Sequence, residues 1–229
     1  MSKTAFDDYA GEGEYDRALE ESLEVSGEGK EFFARGRVVW AASWLKAQQA
    51  PSPARVLDYG CGVGDTAPLL HSEWGARTVV GVDESAACIR AAVARHPLHT
   101  FTTVADHQAL QDFDAAYVNG VLHHVPLAQR ADVVQRIARS LRPGGRLFLF
   151  DNSPWNPGTR FVMSRCRFDD DAVMMWPHQA RRLMRSAGFH IEKTAFLFVF
   201  PRPLSALRAL EPALERAPLG AQYVVVGRA

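Results

Sequence analysis

One stretch, residues 56–66, constrains the fold more than any other part of the chain. A short strand beginning Val-Leu-Asp-Tyr runs into glycines at alternate positions, Gly60, Gly62 and Gly64, and then into a helix. Glycine adopts the positive φ angles that this reversal requires, and it lets a ligand approach closer than a Cβ would permit. The helix that follows brings unpaired N–H groups to the same place. A plain strand-to-helix turn needs only one or two glycines, so the stretch predicts a cofactor loop.

The glycine spacing indicates which kind of cofactor this loop holds. A dinucleotide fingerprint reads Gly-x-Gly-x-x-Gly, whereas here the third glycine comes one residue early. Asp65 follows it, and a carboxylate at the start of the helix would repel a pyrophosphate. A ligand with an ammonium group and no phosphate therefore fits better.

At this point the sequence resembles the class I S-adenosylmethionine-dependent methyltransferases, whose first loop has the form Asp-x-Gly-x-Gly-x-Gly. The resemblance implies an α/β, Rossmann-like fold with seven strands, mostly parallel, and an antiparallel last strand. It also implies an N-terminal helical cap, an insertion after the fifth strand, and S-adenosylmethionine as cofactor without a metal. The loop residues that it implies in cofactor binding are Asp58, Gly60, Cys61, Gly62 and Gly64.

The length and composition suit a single domain. Within residues 1–229 we expect a helical cap at 1–50, a cofactor-binding core at 54–152, a substrate insertion at 153–177, and a C-terminal helix with strands at 178–229. The 26 basic and 26 acidic residues balance, so no strong field attracts nucleic acid or an anionic membrane. No run approaches the ~20 apolar residues of a membrane span, and the three cysteines lack metal-site spacing. These features predict a cytoplasmic protein.

An acidic residue ends the second predicted strand, 77–83. Asp83 comes 19 positions after Gly64, where an open α/β sheet presents the carboxyl end of that strand to the ligand. Its carboxylate can accept hydrogen bonds from both hydroxyls of a ribose, with Glu84 as a lesser contributor. Helping to cap the next helix is the alternative role, although Ser85 can cap alone. That helix, 86–95, is expected to turn Ile89, Ala92 and Val93 toward the sheet.

The third strand, 99–104, ends at Ala105, Asp106 and His107. By resemblance, the acidic residue after this strand bonds the adenine amino group and the next backbone N–H meets a ring nitrogen. This assigns Asp106 and His107 to the adenine, with Ala105 beside them. The alternative is an ordinary polar loop without a ligand, and this alternative is stronger for His107 than for Asp106.

The fourth strand, 113–119, runs into the loop 120–126, which is the predicted chemical centre. By resemblance this strand end lies beside the sulfonium, and Asn119 could hold the methionine amino group. His123 and His124 are adjacent, and histidine is the side chain whose ordinary pKa lies near neutral pH. Either could accept a proton from the attacking nucleophile. Stacking on adenine and capping of the helix 127–141 are the alternatives.

The same loop also indicates which class of acceptor the chain methylates. Enzymes of this family that methylate the exocyclic amines of bases or amide side chains usually carry an Asn-Pro-Pro-Tyr type loop, and Asn119-Gly-Val-Leu lacks it. With balanced charge and no basic or aromatic array, nucleic acid is an unfavoured substrate. The Leu-His-His-Val form instead resembles the quinone-pathway and small-molecule methyltransferases.

The two ends of the chain are predicted to supply the substrate contacts. Helices are expected over 15–23 and 32–48, with Tyr9, Tyr15 and the pair Arg35 and Arg37 as residues that could face the pocket. Arg37 is assigned to the methionine carboxylate, and a solvated helix face is an equal alternative.

After the strand 146–150, the insertion offers Trp155, Asn156, Arg160 and Arg165. Its arginines suggest an anionic acceptor group, or pairing with the aspartates 169–171. A strand over 190–200 and an amphipathic helix over 201–217 follow. That helix is interpreted as a lid, a dimer contact or a core element. The strand 222–226 closes the chain.

The function predicted from these features is methyl transfer from S-adenosylmethionine to oxygen, nitrogen or carbon of a small molecule by in-line displacement. The alternatives are an NAD(P)-dependent oxidoreductase, which the glycine spacing disfavours, and a non-catalytic S-adenosylmethionine-binding module. A homodimer is a possible assembly for each of these three functions.

Overall fold

A seven-stranded sheet organises the residues that the computed structural model describes, which are 27–105, 111–165 and 172–229. The strands are β1 Arg55–Tyr59, β2 Thr78–Asp83, β3 Thr100–Thr103, β4 Phe113–Asn119, β5 Leu141–Asn152, β6 His190–Leu197 and β7 Gln222–Arg228. The helices are α1 Lys30–Ala47, α2 Ala67–Trp74, α3 Ala86–Arg95, α4 Arg130–Ser140, α5 Pro157–Met163, α6 Pro177–Ser186 and α7 Glu211–Leu214. A 3₁₀ helix covers Arg202–Leu210.

The strand order is β3-β2-β1-β4-β5-β7-β6. Pairs among the first five strands are parallel, and β7 is antiparallel to both β5 and β6. Strand β6 therefore runs in the same direction as β5. The carboxyl ends of β1 to β6 meet at one edge of the sheet, where ligands of open α/β folds bind. The predicted parallel sheet with an antiparallel last strand is confirmed.

Helices cover both faces of the sheet, because the central strands are apolar on both sides. One core cluster joins the sheet to α4 through Val134 and Ile137 and to α6 through Ala180 and Met184. The other joins it to α1, α2 and α3, and includes Trp74. The indole N–H of Trp74 donates to the Val38 carbonyl at 2.9 Å, which fixes α1 on α2.

Some boundaries differ from the predicted ones. Strand β5 begins at Leu141 instead of residue 146, because Leu141 already pairs with Phe113 across an irregularity in β4. Strand β6 ends at Leu197, because Phe198 adopts a φ of 62°. Val93 is exposed instead of facing the sheet.

The predicted amphipathic helix over 201–217 is mostly a 3₁₀ helix with a non-helical Leu204, in a segment interrupted by prolines. Leu204, Leu207 and Leu210 are exposed there. The predicted helix 15–23 lies outside the described residues. No helix in the described part of the chain has the length and apolar character that crossing a membrane requires.

Candidate functional site

The glycine loop after β1 has the backbone that its sequence demands. Gly60, Gly62 and Gly64 have φ angles of 76°, 53° and 86°. A Cβ on Gly60 would lie 2.2 Å from Val121 Cγ2, and one on Gly64 would lie 2.7 Å from the Phe101 ring. At Gly62 a Cβ would meet nothing within 4 Å. Two glycines therefore serve close packing, whereas Gly62 borders open space at the sheet edge.

Asp83, at the end of β2, holds this loop in place. Its Oδ2 accepts a hydrogen bond from the Gly62 N–H at 2.9 Å, and its Oδ1 accepts one from the Ser85 N–H at 2.9 Å. Burial raises the pKa of Asp83, while these backbone hydrogen bonds oppose the rise. Ser85 caps α3 by accepting from the Cys88 N–H. Asp83 thus links the loop to the start of α3 at the place predicted for a ribose.

Asp58, the first residue of the loop motif, is buried beneath the same edge. Burial and the charge of Asp83 raise its pKa to about 7, and the guanidinium of Arg37 opposes them. Within the described ranges its Oδ2 accepts no hydrogen bond. A buried carboxylate oxygen without a donor is costly, so a cation or N–H donor at this position would stabilise it.

Asn119 and Ser153 give a second set of unsatisfied buried groups. Asn119 Oδ1, at the end of β4, and Ser153 Oγ, just after β5, accept or donate no hydrogen bond within the described part of the chain. Asp58 is the second-last residue of β1, so the three groups lie toward the same edge of three neighbouring strands. An ammonium group has three donors, which fits this set.

Arg37 lies under the site and is buried. Its Nε donates to Tyr117 Oη at 2.9 Å and its Nη1 to Gln222 Oε1 at 3.0 Å. These two partners orient the guanidinium. The assignment of Arg37 to the methionine carboxylate stays a prediction. Arg35 pairs with Glu73 at 2.8 Å and is 67% exposed, which corresponds to the solvated-face alternative.

Asp65 is held by basic side chains from α1 and from the end of α3. Its carboxylate lies 2.8 Å from Lys30 Nζ, 3.3 Å from His96 Nε2 and 3.8 Å from Arg95 Nη1. Burial tends to raise its pKa, but the hydrogen bond and charge of Lys30 lower it overall. This differs from the sequence-based prediction, in which the Asp65 carboxylate faces a ligand. The structure instead shows that it ties the start of α1 to the glycine loop.

A histidine–aspartate pair lies next to this edge. His123 Nδ1 is 2.5 Å from Asp151 Oδ1, and the two side chains are 3% and 1% exposed. The same Oδ1 accepts from the Asn152 N–H at 2.8 Å. The His124 ring is tilted against that of His123, with centroids 4.2 Å apart. Asp151 is absent from the site residues predicted from sequence, although an acidic residue at the end of β5 is the signal that could have identified it.

A short segment, 172–176, crosses beside this pair and is fixed to it. The Val173 N–H donates to the His123 carbonyl at 2.8 Å, and Arg130 Nη2 donates to the Val173 carbonyl at 2.7 Å. Tyr223 Oη donates to the Met175 carbonyl at 2.8 Å. Burial lowers the pKa of Arg130 and raises that of Tyr223. The start of α4 and strand β7 thus hold 172–176 against the histidine loop.

The predicted substrate residues of the insertion lie at or near this edge. Trp155 is exposed, and its ring contacts those of Trp176 and Phe196. Asn156 caps α5 through the Thr159 N–H and donates to the Leu219 carbonyl at 2.9 Å. Arg160 is exposed on α5.

Arg165 is exposed as well, and its guanidinium lies 4.5 Å from the centre of the Phe161 ring. Substrate contacts by these residues stay predictions, as does pairing of the arginines with 169–171, which lie outside the described residues.

For the remaining residues predicted to bind the cofactor or the substrate, the described part of the chain shows no contact that tests their roles. Cys61 is buried, and burial raises the pKa of its thiol. Glu84 and Ala105 are exposed at the ends of their strands. Tyr9, Tyr15, Asp106 and His107 lie outside the described residues.

The sheet order, the glycine loop after β1 and the acidic residue ending β2 define a Rossmann-like fold of the methyltransferase type. Residues 56–145 match the model of a methyltransferase domain family. In this region and in its fold, the chain resembles the class I S-adenosylmethionine-dependent methyltransferases.

The curated relatives match part of the chain, whereas some solved structures match nearly all of it. A trans-aconitate 2-methyltransferase of Rhodopseudomonas palustris is 28% identical over 72% of this chain and 59% of its own. An N-demethylindolmycin N-methyltransferase of Streptomyces griseus is 33% identical over 48% of this chain and 49% of its own. The chain spans about half the length of the curated relatives it matches.

Magnesium protoporphyrin IX methyltransferase of Synechocystis, solved with bound S-adenosylhomocysteine, has the same fold. Its TM-score is 0.65 at 18% identity, and the match covers 99% of both chains. These matches do not favour the oxidoreductase alternative.

Proposed function

We propose that this chain transfers a methyl group from S-adenosylmethionine to oxygen, nitrogen or carbon of a small-molecule acceptor by in-line displacement. The observation that carries the proposal is the set of unsatisfied buried acceptors, Asp58 Oδ2 and Asn119 Oδ1, beside the open backbone at Gly62. This arrangement fits a ligand with an ammonium group that approaches the glycine loop closely.

Each part of the cofactor has a proposed partner. Asp58 and Asn119 would bind the methionine ammonium, Asp83 the ribose hydroxyls, and Asp106 with His107 the adenine. Arg37 would contribute positive charge near the methionine carboxylate. When bound, S-adenosylmethionine supplies a methyl group on a positively charged sulfur that leaves as a neutral thioether. The residues need chiefly to orient the acceptor and exclude water.

His123 is proposed as the base for an acceptor that must lose a proton. His123 Nδ1 contacts Asp151 Oδ1. With the proton on Nδ1, the lone pair would lie on Nε2, and Asp151 would stabilise the imidazolium that forms. The acceptor forms its bond to the methyl carbon as the carbon–sulfur bond breaks. The electron pair of that bond stays on sulfur, and the acceptor's proton passes to His123. His124, whose ring is tilted against that of His123, is the alternative base.

The acceptor class is proposed from the names of the relatives and from the charge balance of the chain. Relatives are named for trans-aconitate and N-demethylindolmycin, both small molecules. Balanced formal charge agrees with an acceptor other than nucleic acid. The substrate role of the insertion 153–177, a homodimer and a cytoplasmic location stay predictions.

Calorimetry with S-adenosylhomocysteine tests the cofactor proposal. We expect the wild type to bind and Asp83→Asn to bind at least about tenfold more weakly, since a hydrogen bond to a charged group contributes about 1.5–3 kcal/mol. Asp132→Asn, the same change at an exposed site on α4, is the matched control. Absence of binding to the wild type, or equal binding by Asp83→Asn, would contradict the proposal. Release of S-adenosylhomocysteine with an added acceptor separates an enzyme from a binding module.

A further inference from the structure

Three aromatic side chains form a cluster at the edge of the sheet where the proposed site lies. The Trp155 ring meets Trp176 at a centroid distance of 5.0 Å and an angle of 72°, and it meets Phe196 at 5.8 Å and 64°. Both contacts have the edge-to-face geometry that aromatic pairs prefer. Trp155 nevertheless stays 46% exposed. The aromatic shelf, defined here as Trp155, Trp176 and Phe196, therefore presents an oriented indole to the outside.

The shelf lies beyond the proposed base along the sheet edge. The glycine loop follows β1, His123 follows β4, Asp151 is in β5, Trp155 follows β5, and Phe196 lies near the end of β6. In the strand order these positions run from the cofactor loop through the histidine–aspartate pair to the shelf. This is the order that a transfer from cofactor to acceptor requires.

The segment 172–176 connects the shelf to the base physically. Val173 is hydrogen-bonded to the His123 carbonyl, and Trp176 lies three residues later against Trp155. Val173 is itself 50% exposed, so the path from His123 to the shelf carries apolar surface. Hydrogen bonds from Arg130 and Tyr223 to this segment hold the shelf at a fixed distance from His123.

We infer that the aromatic shelf is the acceptor subsite and that it takes a planar aromatic molecule bearing a hydroxyl or N–H group. The inference rests on the proposed methyl transfer for the role of that group. The shelf side chains and Val173 carry no charge, so stacking and apolar burial dominate recognition. The two arginines predicted to contact the substrate, Arg160 on α5 and Arg165 just after it, are both exposed, so they do not provide a desolvated pocket for a carboxylate.

The test compares two probes that differ chiefly in aromaticity, 2-naphthol and decahydro-2-naphthol. Each is titrated calorimetrically into the full chain, with and without S-adenosylhomocysteine. We expect 2-naphthol to bind several-fold more tightly than the saturated alcohol, and Trp155→Ala to remove up to about tenfold of its affinity. Trp155→Phe should keep most of the affinity. Leu207→Ala, which also removes an exposed apolar side chain but lies on the 3₁₀ helix, should leave it unchanged.

Equal affinities for the two alcohols, no binding of 2-naphthol, or unchanged binding by Trp155→Ala would each overturn the inference. The probes report on the shelf without any chemistry. Failure of S-adenosylhomocysteine to bind, with 2-naphthol binding still dependent on Trp155, would reject the proposed function and leave the aromatic subsite supported. Normal S-adenosylhomocysteine binding with no discrimination between the alcohols would reject only the subsite.

Discussion

His123 Nδ1 lies 2.5 Å from Asp151 Oδ1 in an almost fully buried contact between the loop after β4 and the end of β5. Residues 28 positions apart meet because their strands are parallel neighbours whose carboxyl ends share one edge. Asp151 Oδ2 accepts no hydrogen bond within the ranges that the structure describes. The carboxylate is thus positioned to orient the imidazole and to stabilise positive charge on it.

Asp151→Asn should lower kcat by about 10²–10⁴-fold for an acceptor that must lose a proton, because general base catalysis contributes roughly this much. Affinity for S-adenosylhomocysteine should stay within about twofold, since binding does not require the base. The loss should shrink at pH values where the acceptor ionises by itself. Steady-state kinetics across pH measure this, with Asp132→Asn as control. A uniform loss at every pH would show that Asp151 acts only structurally.

Alanine at two neighbouring glycines should separate packing from ligand access. Gly60→Ala drives a Cβ against Val121 and keeps a positive φ, so we expect a loss of about 2–4 kcal/mol in the free energy of unfolding. Gly62→Ala has room and should cost only about 1–2 kcal/mol from backbone strain. Because Gly62 borders the proposed cofactor, its variant should still lose affinity for S-adenosylhomocysteine.

Denaturant unfolding and calorimetry measure the two effects. Equal destabilisation by both substitutions would contradict the packing difference. Full retention of cofactor affinity in Gly62→Ala would contradict the position assigned to the ligand.

Asp58 should give stability and ligand affinity opposite pH dependences. Its pKa is raised from 3.8 to about 7 in the folded chain, so the folded state holds this proton more tightly than the unfolded state. Its contribution to stability is therefore full below about pH 4 and is lost as the pH rises through about 7. If ionised Asp58 binds the ammonium, S-adenosylhomocysteine affinity should rise up to about tenfold per pH unit below 7 and level off above it.

Asp58→Asn is the variant that isolates this group. It should flatten both pH profiles in that window. Unfolding and binding measurements over pH 5–8.5 can follow this, a range of about two units below and about one and a half units above the expected titration. The same slope in wild type and variant would assign the pH dependence to other groups.

The tether between Lys30 and Asp65 should contribute modestly to stability. Both side chains are partly exposed, so we expect Lys30→Met to cost at most about 1 kcal/mol in the free energy of unfolding, and less at high salt. Arg35→Met breaks the more exposed pair with Glu73 and is the control, with a smaller expected cost. Since Lys30 joins α1 to the glycine loop, its variant should also weaken S-adenosylhomocysteine binding, unlike Arg35→Met. Identical behaviour of the two variants would contradict a link between α1 and the loop.

Much of the core was predictable because its signals are local. Strand β4 and helix α3 have the predicted bounds, and Ser85 caps α3 as its residue type suggested. Outside the core, 201–217 was predicted as one amphipathic helix because leucines recur at helical spacing. The prolines and the non-helical Leu204 instead produce a 3₁₀ helix, which periodicity alone does not distinguish.

The sequence by itself determined the glycine loop, the order of strands and helices along the core from β1 to β5, and the acidic end of β2. Each of these follows from backbone geometry or side-chain periodicity over a few residues. Only the tertiary structure decided that Asp65 faces Lys30 instead of a ligand, that Arg37 lies against Tyr117, and that Asp151 meets His123. These pairs join residues 28 to 80 positions apart. Strand order, register and helix docking bring them together, and no local pattern in the chain encodes those contacts.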